Sequence, residues 1–174
     1  MAYELRISGW QKHQNQLDTR RDTSYKYQTS GLTTKDDEEL RTSAVTLSQD
    51  AELVFSAKGS HNYEVKCNLL VSGITSGTGI QLAWSGTNTG NNMEGVWTDQ
   101  ISSGVSQYVS GGSETITFTG NSTIALLEFT GILHHGTKPV ETDVGSVGLW
   151  WKPVTNSNPI SILNRSDISF TLIR

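Results

Sequence analysis

The sequence predicts an all-β protein, an antiparallel two-sheet sandwich preceded by an extended N-terminal arm. Three observations predict it. Beyond residue 42, apolar residues recur at every second position in segment after segment, the period of a strand that buries one face. Glycine is frequent and proline scarce, at 17 and 3 of 174 residues, which suits many strands joined by turns. Charge density also changes along the chain: residues 1–41 hold seven Lys/Arg and seven Asp/Glu, and residues 42–174 hold six and ten. The length suits one domain with an appendage, so the expected organisation is an arm over 1–41 and a β domain over 42–174.

Within the arm, QKHQNQLDTRRDTSYKYQTS (11–30) is polar, lacks a sustained period and has too few apolar residues for a core of its own. In TTKDDEELRT (33–42), Thr34 or Asp36 is placed to cap a short helical turn, with Glu38 and Glu39 near its positive end. Tyr3, Leu5, Ile7, Trp10, Tyr25 and Tyr27 are more large apolar groups than a solvating tail carries. The arm is therefore expected to order on a partner, with Tyr3, Trp10, Arg20, Arg21, Tyr25 and Tyr27 making the contact. Basic and aromatic residues together also suit single-stranded nucleic acid. Asp18 and Asp22 oppose that, and the arm over 1–41 is neutral, so protein is the expected partner.

The strands follow in order. AVTLSQDAELVFSA alternates through Val45 and Leu47, then Leu53 and Phe55. GSHNYEVKCNLLVSG places Tyr63, Val65, Cys67, Leu69 and Val71 on one face. GIQLAWSG offers Ile80, Leu82 and Trp84, and NMEGVWTD offers Met93, Gly95 and Trp97. SETITFTG offers Ile116 and Phe118; STIALLEFTGILHH offers Ala125, Leu127, Phe129 and Leu133. SVGLWWKP, NPISILNR and DISFTLIR contribute Val147, Leu149 and Trp151, then Ile160 and Ile162, then Ile168, Phe170 and Leu172. GTNTGNN, SGGS, TGNS, HGTKPVETD and TNSNP between them are rich in turn formers. Eight to ten such strands point to a jelly-roll type of sandwich. An immunoglobulin-like sandwich competes, but its Cys…Trp…Cys pattern is absent.

Some strands are apolar on both faces. Ile124, Leu126 and Ile132 oppose the Ala125–Leu127–Phe129 face, and Trp150 opposes Trp151. Burying an apolar side chain stabilises by about 1.5–3 kcal/mol, so a second apolar surface calls for a cover. Ile124, Leu126, Ile132 and Trp150 are therefore expected at a homo-oligomer interface. A trimer is the form suggested by analogy with other jelly rolls.

Chemistry is thinly represented. No G-x-S-x-G elbow, P-loop, dinucleotide glycine pattern or H-E-x-x-H is present. His134 and His135, with Glu141 and Asp143, are candidate metal ligands, but adjacent strand residues point to opposite faces, so no metal site is expected. Glu64, Glu94, Asp99, Glu128 and Asp167 could supply a glycosidase pair, yet any β domain with ten acids offers one. Trp84, Trp97, Trp150 and Trp151 could stack on a sugar; three share faces with Leu, Ile or Val, which favours the core for those and leaves Trp150. Asn121-Ser-Thr and Asn164-Arg-Ser match the glycosylation acceptor, but no signal peptide is evident at the N-terminus. No catalytic residue and no cofactor is expected.

A net charge of −4 gives no global basic field for nucleic acid. Cys67 alone can form neither an internal disulfide nor a cysteine zinc site, and its place on an apolar face makes it a core residue. No stretch approaches the roughly 20 apolar residues of a membrane helix, and the start of the chain lacks the apolar run of a signal peptide, so cytoplasmic synthesis without membrane insertion is expected.

RTSAVTLSQDAELVFSAKGSHNYEVKCNLLVSG, then GIQLAWSG, then a closing SDISFTLIR resembles a small jelly-roll module of tailed-bacteriophage virion structural proteins. The likeness spans residues 41–174; the histidine pair and the arm lie outside it. The resemblance implies a virion component with no catalytic residues to carry over. The leading expectation is a capsid decoration protein that binds the major capsid protein through its arm and self-associates through the jelly roll. A tail-fibre or receptor-binding tip that recognises a host glycan is the alternative, and a carbohydrate-active enzyme the third.

Overall fold

The computed structural model describes residues 30–42, 46–58, 61–74, 78–86, 91–100, 106–110, 114–120, 123–135, 144–155 and 159–173. Twelve strands lie among them: β1 (Ser30–Thr34), β2 (Glu39–Arg41), β3 (Ser48–Lys58), β4 (His61–Ser72), β5 (Gly79–Gly86), β6 (Asn91–Asp99), β7 (Ser106–Ser110), β8 (Thr115–Thr119), β9 (Ile124–His135), β10 (Val144–Pro153), β11 (Ile160–Ile162) and β12 (Asp167–Ile173). The larger sheet runs β1-β12-β4-β9-β6-β7, with β11 beside one end of β4 and β2 beyond β11. The smaller runs β3-β10-β5-β8. Every pairing is antiparallel.

The expected two-sheet sandwich is present, and its inner faces are the ones the alternation named. Tyr63, Val65, Cys67, Leu69 and Val71 on β4 are all fully buried, as are Leu82, Leu149 and Trp151 in the opposite sheet. Phe55 of β3 stacks on Phe170 of β12 at 4.5 Å between ring centres, with Tyr63 edge-on at 6.4 Å to each. At the other side, Trp84, Trp97 and Phe129 pack as a triad 5.2–5.9 Å apart. The paired glycines Gly95 and Gly131 make room there: a Cβ on Gly95 would lie 2.6 Å from the tip of the Phe129 ring.

Taken in chain order, β1, β3, β4, β5, β8, β9, β10 and β12 occupy one sheet as first, eighth, third and sixth, and the other as second, seventh, fourth and fifth. That order is consistent with jelly-roll winding. The β6–β7 hairpin extends the larger sheet beside β9, and β2–β11 extend it at one end of β4. Side chains bridge both sides of the sandwich. Thr33 donates to the carbonyl of Val54 across the β1/β3 side, and Gln107 donates to the carbonyl of Thr117 across the β7/β8 side.

Here the structure departs from the sequence reading. Residues 30–41, assigned to the arm by their charge, belong to the larger sheet. Ser30–Thr34 pair with Asp167–Thr171, and Glu39–Arg41 pair with Ile160–Ile162. No helical turn forms between Thr34 and Glu39. The chain instead leaves β1 and bonds to the β11–β12 turn: Lys35 donates its N–H to the Ser166 carbonyl, and Arg165 donates to that of Lys35. Arg165 takes a positive φ of 67° in that turn. Asp36, Asp37 and Glu38 sit on this connection and Glu39 opens β2, so a division after residue 41 leaves two strands of the larger sheet on the arm's side.

Candidate functional site

Two groupings of polar or exposed side chains stand out. The first is interior. At the break between β1 and β2 the Lys35 side chain turns inward and is only 2% exposed. Its ammonium lies 3.0 Å from Asp50, 3.1 Å from Glu52 and 3.4 Å from Glu39. Asp50, fully buried, also accepts from the backbone N–H groups of Glu52 and Leu53, both at 3.0 Å, and from the Trp151 indole at 3.2 Å. Arg41 lies 4.1 Å over the Trp151 ring and donates to the carbonyls of Ser48, Gln49 and Trp151. Burial works to lower the Lys35 pKa, but the Asp50 and Glu52 hydrogen bonds outweigh it and leave it raised. Burial works to raise that of Asp50, but the backbone donors and Lys35 hold it below the ordinary value. Every member of this cluster is satisfied within the protein. It holds β1 and β2 against β3 and β10.

The second grouping is the outer face of the larger sheet. Of the eight large exposed apolar side chains among the described residues, only Val154 lies elsewhere. Leu32, Leu40, Val96, Tyr108, Ile124, Ile132 and Ile173 all alternate with inward-facing neighbours on strands of this sheet. Val96 stands opposite Tyr108 of β7 and Thr130 of β9. Ile132 stands between Glu64 of β4 and Glu94 of β6 in one cross-strand row. Glu128 and Asp167 lie on the same face. Against these four carboxylates the described residues set one lysine, Lys66, paired with Glu64 at 3.1 Å. The face is thus apolar and acidic together.

The expected interface residues are divided between two surfaces. Ile124, Leu126 and Ile132 lie on this outer face; Ile124 is 48% and Ile132 39% exposed, and Leu126 is half-buried beside Leu70. Trp150 is half-buried on the outer face of the smaller sheet, opposite Ala83 of β5 and Gln49 of β3. One flat partner cannot cover all four. Val96 and Tyr108 were missed. Val96 follows a glycine and precedes a tryptophan, and Tyr108 sits in SQYVS, where one other apolar residue gives no readable period. The arm residues Tyr3, Trp10, Arg20, Arg21, Tyr25 and Tyr27 lie outside the described residues.

The other candidates resolve as follows. His134 faces Asn62 at 3.1 Å and Glu94 at 3.9 Å on the outer face. Among the described residues no three His, Cys, Asp or Glu side chains are grouped to hold a metal; Glu141 and Asp143 lie outside them. Glu94 accepts from Asn92, and Asp167 from Asn68. Asp99 is buried, away from the outer-face acids. Trp84, Trp97 and Trp151 are core residues. Burial pushes the Cys67 thiol well above its usual pKa, which makes it unreactive. In the Asn164-Arg-Ser sequence the Ser166 hydroxyl is fully buried and bonded to Leu163 and Leu70.

No protein-family model and no curated protein matches the chain. Among solved structures it is similar to a family two carbohydrate esterase from Cellvibrio japonicus, with 6% identity over 79% of this chain and 34% of that one and a TM-score of 0.28. It is similar also to infectious bursal disease virus. For the Gt strain the identity is 12% over 86% of this chain and 43% of that one, with a TM-score of 0.21. For the Gx strain it is 6% over 81% and 37%, with a TM-score of 0.22. The chain spans 34–43% of the length of these structures. Likenesses this distant assign neither an activity nor a partner.

Proposed function

We propose that the protein is a structural component of a tailed-bacteriophage virion, a capsid decoration protein made in the host cytoplasm and added to the assembled shell. The observation that carries this reading is the outer face of the larger sheet. An apolar and acidic surface on a sandwich suits protein contact, and the inner side chains of the same strands, Leu127, Phe129 and Leu133 among them, are buried. The sequence resemblance in residues 41–174 supplies the virion context. The segment before Ser30, with Tyr3, Trp10, Arg20, Arg21, Tyr25 and Tyr27, supplies a second contact, to the major capsid protein or to neighbouring copies. Many modest contacts repeated across subunit boundaries would stabilise a shell by mass action and avidity.

Co-sedimentation with undecorated phage shells tests the reading. The full-length chain is expected to bind saturably, and Val96→Lys combined with Ile132→Lys to bind several-fold more weakly. Failure of the wild-type chain to bind would sink the decoration role. Binding instead to host cells or a glycan, lost in Trp150→Ala, would favour a receptor-binding tip.

A further inference from the structure

With β1 beginning at Ser30, the charge of the two parts changes. Residues 1–29 carry Arg6, Lys12, Arg20, Arg21 and Lys26 against Glu4, Asp18 and Asp22, a net of 5 − 3 = +2. Residues 30–174 carry 8 Lys/Arg and 14 Asp/Glu, a net of −6. DDEE, which made the arm look neutral, belongs to the folded body. The segment before Ser30 is cationic and aromatic, and the outer face of the larger sheet is acidic and apolar.

We propose that the outer face of the larger sheet is the docking site for residues 20–27 of a second copy of this chain, so that the copies associate by exchanging arms. The inference deepens the self-association in the reading above. Pressing two such faces together would oppose Glu64, Glu94, Glu128 and Asp167 on each, and like charges in apposition are unfavourable. An arm bearing Arg20, Arg21 and Lys26 meets the same face with opposite charge. Tyr25 and Tyr27 supply aromatic area for Val96, Tyr108 and Ile132.

The dimensions agree. Six strands span about 24 Å at ~4.8 Å spacing, and eight extended residues reach about 26 Å. Chain geometry favours a neighbour over self-docking. Tyr27 is three residues from Ser30, a reach of about 10 Å. Val96 and Tyr108 lie four and five strands from β1, about 19 and 24 Å away, beyond that reach on the same copy.

Sedimentation of the full-length chain without shells tests this, using Arg20→Glu/Arg21→Glu, Glu64→Lys/Glu94→Lys and an equal mixture of the two. The wild type is expected to associate. Each variant alone should dissociate with an apparent Kd raised about tenfold or more. The mixture should recover association, because each reversed arm then meets a complementary face. A monomeric wild type, association indifferent to both reversals, or no recovery on mixing would each overturn arm exchange. Shell binding is read separately, so either idea can fail without the other.

Discussion

Lys35 is the residue on which the near end of the sandwich depends. Replacing it with Met leaves Asp50 buried opposite no cation, and breaking a buried pair in this way costs about 3–5 kcal/mol. Urea unfolding of Lys35→Met is expected to show that loss. The pH response follows from the same contacts. Asp50 and Glu52 are held below their ordinary values of 3.8 and 4.5, so their contribution is complete above those values and is lost as acid takes the pH through the lowered ones. Lys35 is raised above 10.5, so its contribution is complete below 10.5 and lost as the pH rises through the raised value. Unfolding free energy measured against pH should therefore be insensitive to this cluster between about 5 and 10. In Lys35→Met the acid-side loss should begin at a higher pH, because burial then acts on Asp50 with less to oppose it. None of this was legible in the sequence. Lys35 stands in an acidic run that reads as a short helical turn, and its main partner is 15 residues away on a strand whose own pattern gives no reason to pair with it.

At the scale of the element, the long strands were legible, as were β8 and β11, but β1, β2 and β7 were not. β4 alternates over most of its twelve residues, and a period of two held that long fixes both the strand and its buried face; β9 is as long and apolar on both faces, which fixes the strand. β1 has a five-residue stretch, SGLTT, with one large apolar side chain, and that one faces outward. It is a strand because β12 offers it a ladder and Gly31 lets the Phe170 ring approach, information that lies 140 residues away. A boundary drawn at Thr42 consequently removes two strands of the larger sheet, β1 and β2, together with Lys35. The fragment 42–174 is expected to melt well below fragment 30–174, as followed by circular dichroism. Equal melting temperatures would show that β1 and β2 contribute little.

Across the whole molecule, the two sheets differ in what they show to solvent. The smaller presents Trp150 half-buried among polar and small neighbours, and the larger presents seven of the eight large exposed apolar side chains among the described residues. That one sheet is apolar on its outer face as well was readable from Ile124, Leu126 and Ile132. Which sheet Trp150 belonged to was not, because adjacent aromatics disclose that they face opposite ways and nothing about the layer. On the proposed reading the working surface is the larger sheet alone. Carbene footprinting of the full-length protein, concentrated against dilute, is the decisive measurement. Protection is expected at Val96, Tyr108 and Ile132, with Trp150 labelled equally in both samples. Protection at Trp150 with the larger sheet unchanged would contradict it.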